Sequence, residues 1–186
     1  MPASLSELKI KSLNSNAEFE AWKSSDKTFF VSNFKDGKKP VRIVLTGELA
    51  TDGINSKTFD NGPVYSFGLR LTEADSAALE QLVKRIEHEL DAAGLKKWDI
   101  SSPVNDDRIF VKIPLDKTKK KFAVKSNLKL DLKKLDDLDL YRDQTVDVHI
   151  DLGAWYNFES SKAGLFLKVT KLDFEHDEPA PKKQKN

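Results

Sequence analysis

TVDVHIDLGAWYNFESSKAGLFLKVTKLDF, residues 145–174, holds two alternating runs joined by a short polar connection. Period two puts Val146, Val148, Ile150 and Leu152 on one face of the first run, and Leu165, Leu167 and Val169 on one face of the second. That pattern is the signature of paired, half-buried strands. Trp155 and Tyr156 are adjacent, so a strand sends them to opposite sides and only one of them enters a core. Parity sends Ala154 and Tyr156 inward and Trp155 outward beside His149 and Asp151, whereas a bulge at Gly153 would reverse the assignment. Phe158 falls in the turn NFESSKAG, and Phe166 and Lys168 take the outer side of the final strand.

Working back towards the N-terminus, the same period recurs. VRIVLTGEL, residues 41–49, places Val41, Ile43, Leu45 and Leu49 on one side and Arg42, Thr46 and Glu48 on the other. VYSFGLRL does so with Tyr65, Phe67, Leu69 and Leu71, and RIFVKIPL with Ile109, Val111, Ile113 and Leu115 opposite Arg108, Phe110 and Lys112. The stretch between the first two, ATDGINSKTFDNGP, is read as a loop from Gly53, Asn55, Asn61, Gly62 and Pro63. One helix interrupts the strands: TEADSAALEQLVKRIEHELDAAGL has Thr72 and Asp75 at its start, the stripe Leu79, Leu82, Val83, Ile86 and Leu90, and Gly94 as a stop. KKWDISSPVNDD is expected to be a loop, NLKLDL a short strand, and KKLDDLDLYRDQ a connecting loop or short helix.

These elements predict a mainly β chain, a small antiparallel barrel with an inserted α-helix. A polar, part-helical segment over residues 1–27, with Phe19 and Trp22 spaced to anchor it, precedes a domain over 28–175. The proline-broken tail, 176–186, is too polar to pack. The chain has 186 residues, no cysteine, and 31 basic against 30 acidic side chains. Disulfide frameworks, thiol nucleophiles and thiolate metal sites are thereby excluded. No run approaches a membrane span or a signal peptide's apolar stretch, so an intracellular protein that does not enter membranes is expected.

Catalytic constellations are missing from the residue pattern. His88, His149 and His176 have no ligand-like spacing, Asp136, Asp137 and Asp139 lack the glycine and terminal glutamate of a calcium loop, and no glycine-rich phosphate cradle occurs. The expectation is therefore no enzyme, no metal and no cofactor.

What stands out is charge and aromatic rings on the sides that the core does not need. Arg42, Arg70, the triplet Arg108, Phe110 and Lys112, and the pair Phe166 and Lys168 recur strand by strand. Between Arg108 and Lys134 ten basic residues, among them Lys119, Lys120, Lys121 and Lys125, face two acids, Asp116 and Asp131. Cations that track phosphates beside rings that stack on bases are the combination used for single-stranded nucleic acid. The bland reading of each is a solvated lysine loop or a ring covering a second small core. With Trp155, Tyr156 and Phe158 these residues form the candidate nucleic-acid-binding set.

The segment DLYRDQTVDVHIDLGAWYNFESSKAGLFLKVTKLDFE resembles the C-terminal signature of the viral and phage-type OB-fold single-stranded DNA-binding proteins, in which a strand ending in an "lGaWyn" element leads through a short loop to a final "aGlylkv"-like strand. The resemblance extends more loosely over VYSFGLRLTEADSAALEQL and RIFVKIPLDKTKKKF, from Pro40 to Glu175. It implies an OB-fold, a five-stranded antiparallel Greek-key barrel with long insertions, and single-stranded DNA as ligand in replication, recombination or repair. Its matching positions are Trp155, Tyr156, Phe166, Lys168, Phe110 and Lys112. Replication proteins are the partners that it suggests, and self-association is assigned to the N-terminal segment or the helix. The chain departs from the family at its end, where HDEPAPKKQKN follows acids with lysines. That ending argues against recruitment through an acidic tail, and PKKQK reads as a nuclear-import signal of a eukaryotic virus or mobile element. Single-stranded RNA is the nearest alternative ligand, and a protein-interaction or virion-structural module on a similar barrel is the alternative of another class.

Overall fold

A computed structural model describes residue 5 and residues 14–51, 54–59, 62–95, 97–116, 118, 119, 121–128 and 142–174. Along the chain its elements are α1 (Asn16–Lys23), β1 (Phe29–Asn33), β2 (Lys35–Asp36), β3 (Lys39–Pro40), β4 (Arg42–Leu49), β5 (Asn55–Phe59), β6 (Gly62–Arg70), α2 (Glu73–Ala92), β7 (Asp99–Ser101), β8 (Val104–Asn105), β9 (Arg108–Lys112), β10 (Leu115–Asp116), β11 (Lys121–Phe122), β12 (Lys125–Ser126), β13 (Thr145–Asn157) and β14 (Lys162–Phe174). The protein is mainly β. Its principal sheet is mixed and does not close among the described residues. The chain divides into two compact units, one of Met1–Leu45, Thr72–Asp107 and Ile150–Lys168, the other of Thr46–Leu71, Arg108–His149 and Val169–Asn186.

In the first unit, α1 begins in a capping box. Ser15 Oγ accepts from the Glu18 N–H at 3.2 Å while Glu18 Oε2 accepts from the Ser15 N–H at 2.8 Å, so two orphan helix donors are satisfied together. The expected anchors hold: Phe19 is buried edge-on to Tyr156, and Trp22 stacks on Phe30 at 5.1 Å. Thr72 caps α2, all five residues of its predicted stripe are buried, and Gly94 follows at φ +77°, a conformation that costs glycine nothing. β1 pairs antiparallel with residues 153–157 of β13, and β7 pairs parallel with residues 162–164 of β14.

In the second unit, β4 pairs with β6 and β6 with β9, both antiparallel, and β13 lies on the other side of β4 with β14 beyond it. Numbering β4, β6, β9 and β13 as one to four gives the spatial order 4-1-2-3 of a Greek key, with β14 as a fifth strand outside the fourth. Most of the predicted inward positions are core: Leu49, Phe67, Leu69, Leu71, Ile109, Val111, Ile113, Val146, Val148 and Val169 are buried, whereas Tyr65, Leu115 and, in the first unit, Leu167, also expected inward, are only half-buried. β14 changes phase near its end, since Val169 is followed by Leu172 and Phe174 as the next buried positions.

Three expectations are corrected. Residues 50–63, expected as loop, contain β5, which runs antiparallel to Gly62–Ser66 of β6. Residues 96–107, also expected as loop, contain β7 and β8. A purely antiparallel closed barrel is not what forms, since β7 and β12 both pair parallel with β14 and the sheet stays open. The cause is common to all three. Strands of two to five mostly polar residues show no apolar period, and their pairing is decided by backbone hydrogen bonds to a neighbouring strand. Residues 129–141, which include most of the expected short strand and connecting segment, and the tail 176–186 lie outside the described residues.

Candidate nucleic-acid interface

The second unit brings four of the expected residues onto one face of two adjacent strands. On β9, Ile109 and Val111 turn into the core at 1% and 3% exposure, and alternation therefore drives Arg108, Phe110 and Lys112 outward. Phe110 is 64% exposed, a large apolar ring left in water beside two cations. Across the ladder Arg108 faces Arg70, Phe110 faces Gly68, and Lys112 faces Ser66. Arg70 reaches the carboxylates of Asp143 at 3.2 Å and Glu48 at 3.5 Å. Gly68 puts no side chain opposite Phe110, and a Cβ there would come within 3.3 Å of Ala50 and Thr51.

Directly after β9, β10 and β11 form the hairpin expected of the lysine run. Asp116 Oδ1 accepts from the N–H groups of Thr118 and Lys119 at 3.0 and 3.2 Å, an Asx turn that shapes the loop. Phe122 is buried edge-on to Tyr65 and anchors the hairpin, leaving Lys119 and Lys121 exposed; Lys120 lies outside the described residues. Lys125 is exposed on β12, where it faces Lys171 of β14.

The remaining expected residues belong to the first unit and differ in availability. Arg42 is held by Asp151 through two hydrogen bonds, Nε to Oδ1 at 2.7 Å and a terminal nitrogen to Oδ2 at 3.2 Å. That pairing raises the Arg42 pKa, and any phosphate at Arg42 competes with a carboxylate that is mostly buried. Trp155 faces outward, as parity without a bulge requires, but is half covered. It lies over Gly164, where a Cβ would come within 2.7 Å of its Nε1, and alongside Phe29 at 6.3 Å and 22°. Phe158 is half-buried, edge-on to Trp98 and Phe30, so its ring belongs to an aromatic cluster. Phe166 is half-buried and Lys168 exposed on β14.

Tyr156 is the wholly buried member of the set, and its placement argues against contact. Its ring is wholly buried and its hydroxyl donates to Asn14 Oδ1, so it offers no face to a base. Burial, with the nearby negative charges of Glu89 and Glu18, raises its pKa well above the ordinary tyrosine value. Sequence reasoning also passed over Phe29 and Val31, which are exposed on β1. Their signal was present in FFVSNF, where Phe29 and Val31 alternate with Phe30, Ser32 and the buried Phe34.

His149 hydrogen-bonds Asp173 at 3.1 Å, and among the described residues no group of three potential metal ligands comes together. No described helix is long and apolar enough to cross a membrane. No family model matches this chain, and no curated protein or solved structure matches it.

Proposed function

We propose that this protein binds single-stranded DNA without strong sequence preference, as a non-enzymatic coat or chaperone of the strand. The observation that carries this reading is Phe110, 64% exposed on a strand between exposed Arg108 and Lys112 while its neighbours Ile109 and Val111 are core. Leaving that ring in water forgoes the roughly 1.5–3 kcal/mol that burying a large apolar side chain provides. A base stacked on it recovers about 1–3 kcal/mol, and the adjacent cations meet the phosphates on either side. The exposed Lys119 and Lys121 of the following hairpin add charge without adding sequence readout.

An OB-type fold is the finer architectural reading. It is supported by the Greek-key order of the second unit with a fifth strand outside it, and by the openness of the sheet, since OB barrels are only partly closed. In such barrels the face of the second and third strands binds oligonucleotides, and here those are β6 and β9, which carry Arg70, Arg108, Phe110 and Lys112.

The test is fluorescence anisotropy of labelled oligo-dT, oligo-U and a matched duplex at two salt concentrations. All three tryptophans, Trp22, Trp98 and Trp155, lie in the first unit, so a labelled strand reports binding at Phe110 where intrinsic fluorescence need not. Salt-sensitive binding of oligo-dT that the duplex does not match supports the reading. Equal or tighter binding of oligo-U moves the ligand to RNA, and no binding at low salt rejects a nucleic-acid function.

A further inference from the structure

Three large apolar side chains stand exposed among the described residues, and the nucleic-acid face uses only Phe110. The other two, Phe29 at 51% and Val31 at 43%, share one face of β1. β1 pairs with β13 along one side, and no other described strand pairs with it. The Phe34 N–H donates to Leu152 O and the Phe158 N–H to Thr28 O, so the even-numbered residues of β1 bond to β13. The N–H and C=O groups of Phe29, Val31 and Asn33 therefore point away from β13. Natural edges of this kind are usually blunted by a charge, a proline or a bulge. FFVSN has no charge and no proline, and it pairs residue for residue with Asn157–Gly153.

We propose that β1 is the interface of a two-fold homodimer, in which the same strand of a second copy adds antiparallel to this edge, with Phe29 of each chain opposite Val31 of the other. The occupant is a strand because three residues' worth of backbone donors and acceptors face outward, and bases stacking on a ring would leave them unmet. It is a second copy because the uncharged edge complements itself and carries nothing that selects a charged peptide. Charge also chooses the register. Centring the two-fold on Val31 would set Lys27 against Lys35, like charges directly opposed, whereas centring it on Phe30 sets Lys27 against Asn33. In that register both Phe29 and Val31 lie on the same face as Trp155, the β13 partner of Val31, and the apolar strip continues across the junction. A Cβ at Gly153 would come within 2.6 Å of Ser32 O, so β1 is held close against β13 as a preformed template.

The experiment uses the full chain free of nucleic acid at tens of micromolar. Light scattering coupled to size exclusion is expected to give a dimer mass, and Val31→Lys a monomer mass with an unchanged circular dichroism spectrum. The affinity of Val31→Lys for an oligo-dT short enough to occupy one chain should match the parent protein. The chain has no cysteine, so cross-linking is clean. A mixture of Phe29→Cys and Val31→Cys chains should form disulfide-linked dimers on oxidation, whereas either variant alone should form few, since same-residue positions lie diagonally apart. A monomeric parent protein overturns the proposal, as does a folded Val31→Lys that stays dimeric. Efficient cross-linking of Val31→Cys alone overturns the register. A Val31→Lys chain that keeps its mass and loses oligo-dT would make β1 part of the nucleic-acid surface instead. Should Val31→Lys fail to fold, the mixed-cysteine result decides.

Discussion

Arg70 and Arg108 are direct cross-strand partners on β6 and β9, two like charges opposed beside the exposed ring of Phe110. Such opposition is unfavourable in an isolated sheet, and Asp143 and Glu48 offset it on the Arg70 side. A phosphate between the two guanidiniums would offset it from the ligand side. Arg108→Ala is therefore expected to reduce the salt dependence of oligo-dT binding by about 0.7 in the log–log slope, the amount for one neutralised phosphate on a single strand. Thermal stability should move by less than about 1 kcal/mol. Anisotropy titrations across a salt series, read beside a melting curve, check both parts.

Phe110→Ala is expected to weaken oligo-dT binding by about 1–3 kcal/mol, roughly 5- to 150-fold, with the melting temperature unchanged because the ring is already in water. Its neighbour gives the opposite outcome. Ile109→Ala empties a core position and should destabilise the fold by about 2–5 kcal/mol in denaturant titration. If Phe110→Ala instead lowers stability and leaves affinity intact, the ring is a packing residue.

Changing Lys119, Lys120 and Lys121 together to Ala tests the β10–β11 hairpin. The salt slope should fall by about 0.7 for each phosphate that the loop neutralises, up to about 2 in all. The anchor of the hairpin, Phe122 against Tyr65, is untouched by these changes, so the far-ultraviolet spectrum should not alter. An unchanged slope would show the lysines to be solvated only.

Arg42→Ala should behave as a stability variant. It strips a mostly buried carboxylate, Asp151, of its two charge-assisted hydrogen bonds, at an expected cost of about 1–3 kcal/mol. Arg42→Lys should restore only part of it, because an ammonium does not reproduce the planar two-point contact. Affinity for oligo-dT should change much less than stability.

Alkaline pH should loosen the first unit through Tyr156. Its pKa is raised in the folded chain, so between the unfolded value near 10 and the folded one the unfolded state holds fewer protons. Stability then falls as pH climbs above about 10, and below that value the contribution is fully present. Tyrosinate absorbance from this residue should appear only together with loss of structure. Tyr156→Phe should remove that part of the alkaline transition while losing the bond to Asn14.

By itself the sequence determined the mainly β class, the inward faces of β4, β6, β9 and β13, the whole of α2 with its caps, and the outward pointing of Arg108, Phe110 and Lys112. Each of these follows from a period of two or 3.6 over enough residues to be read, and burial respects that period wherever one face must meet a core. It also determined that Trp155 and Tyr156 part company, though only the unbroken ladder of β13 with β1 decided that no bulge intervenes and that Tyr156 is the buried one. Tertiary structure alone decided the rest. Short polar strands such as β5 and β7 exist because long neighbours offer them ladder partners, an interaction carried by backbone and so invisible in side-chain pattern. Arg42 was legible as an outward cation, but its capture by Asp151 joins residues 109 positions apart. The exposure of Phe29 and Val31 likewise depends on β1 falling at a sheet edge, which is a property of strand order and not of any local run of residues.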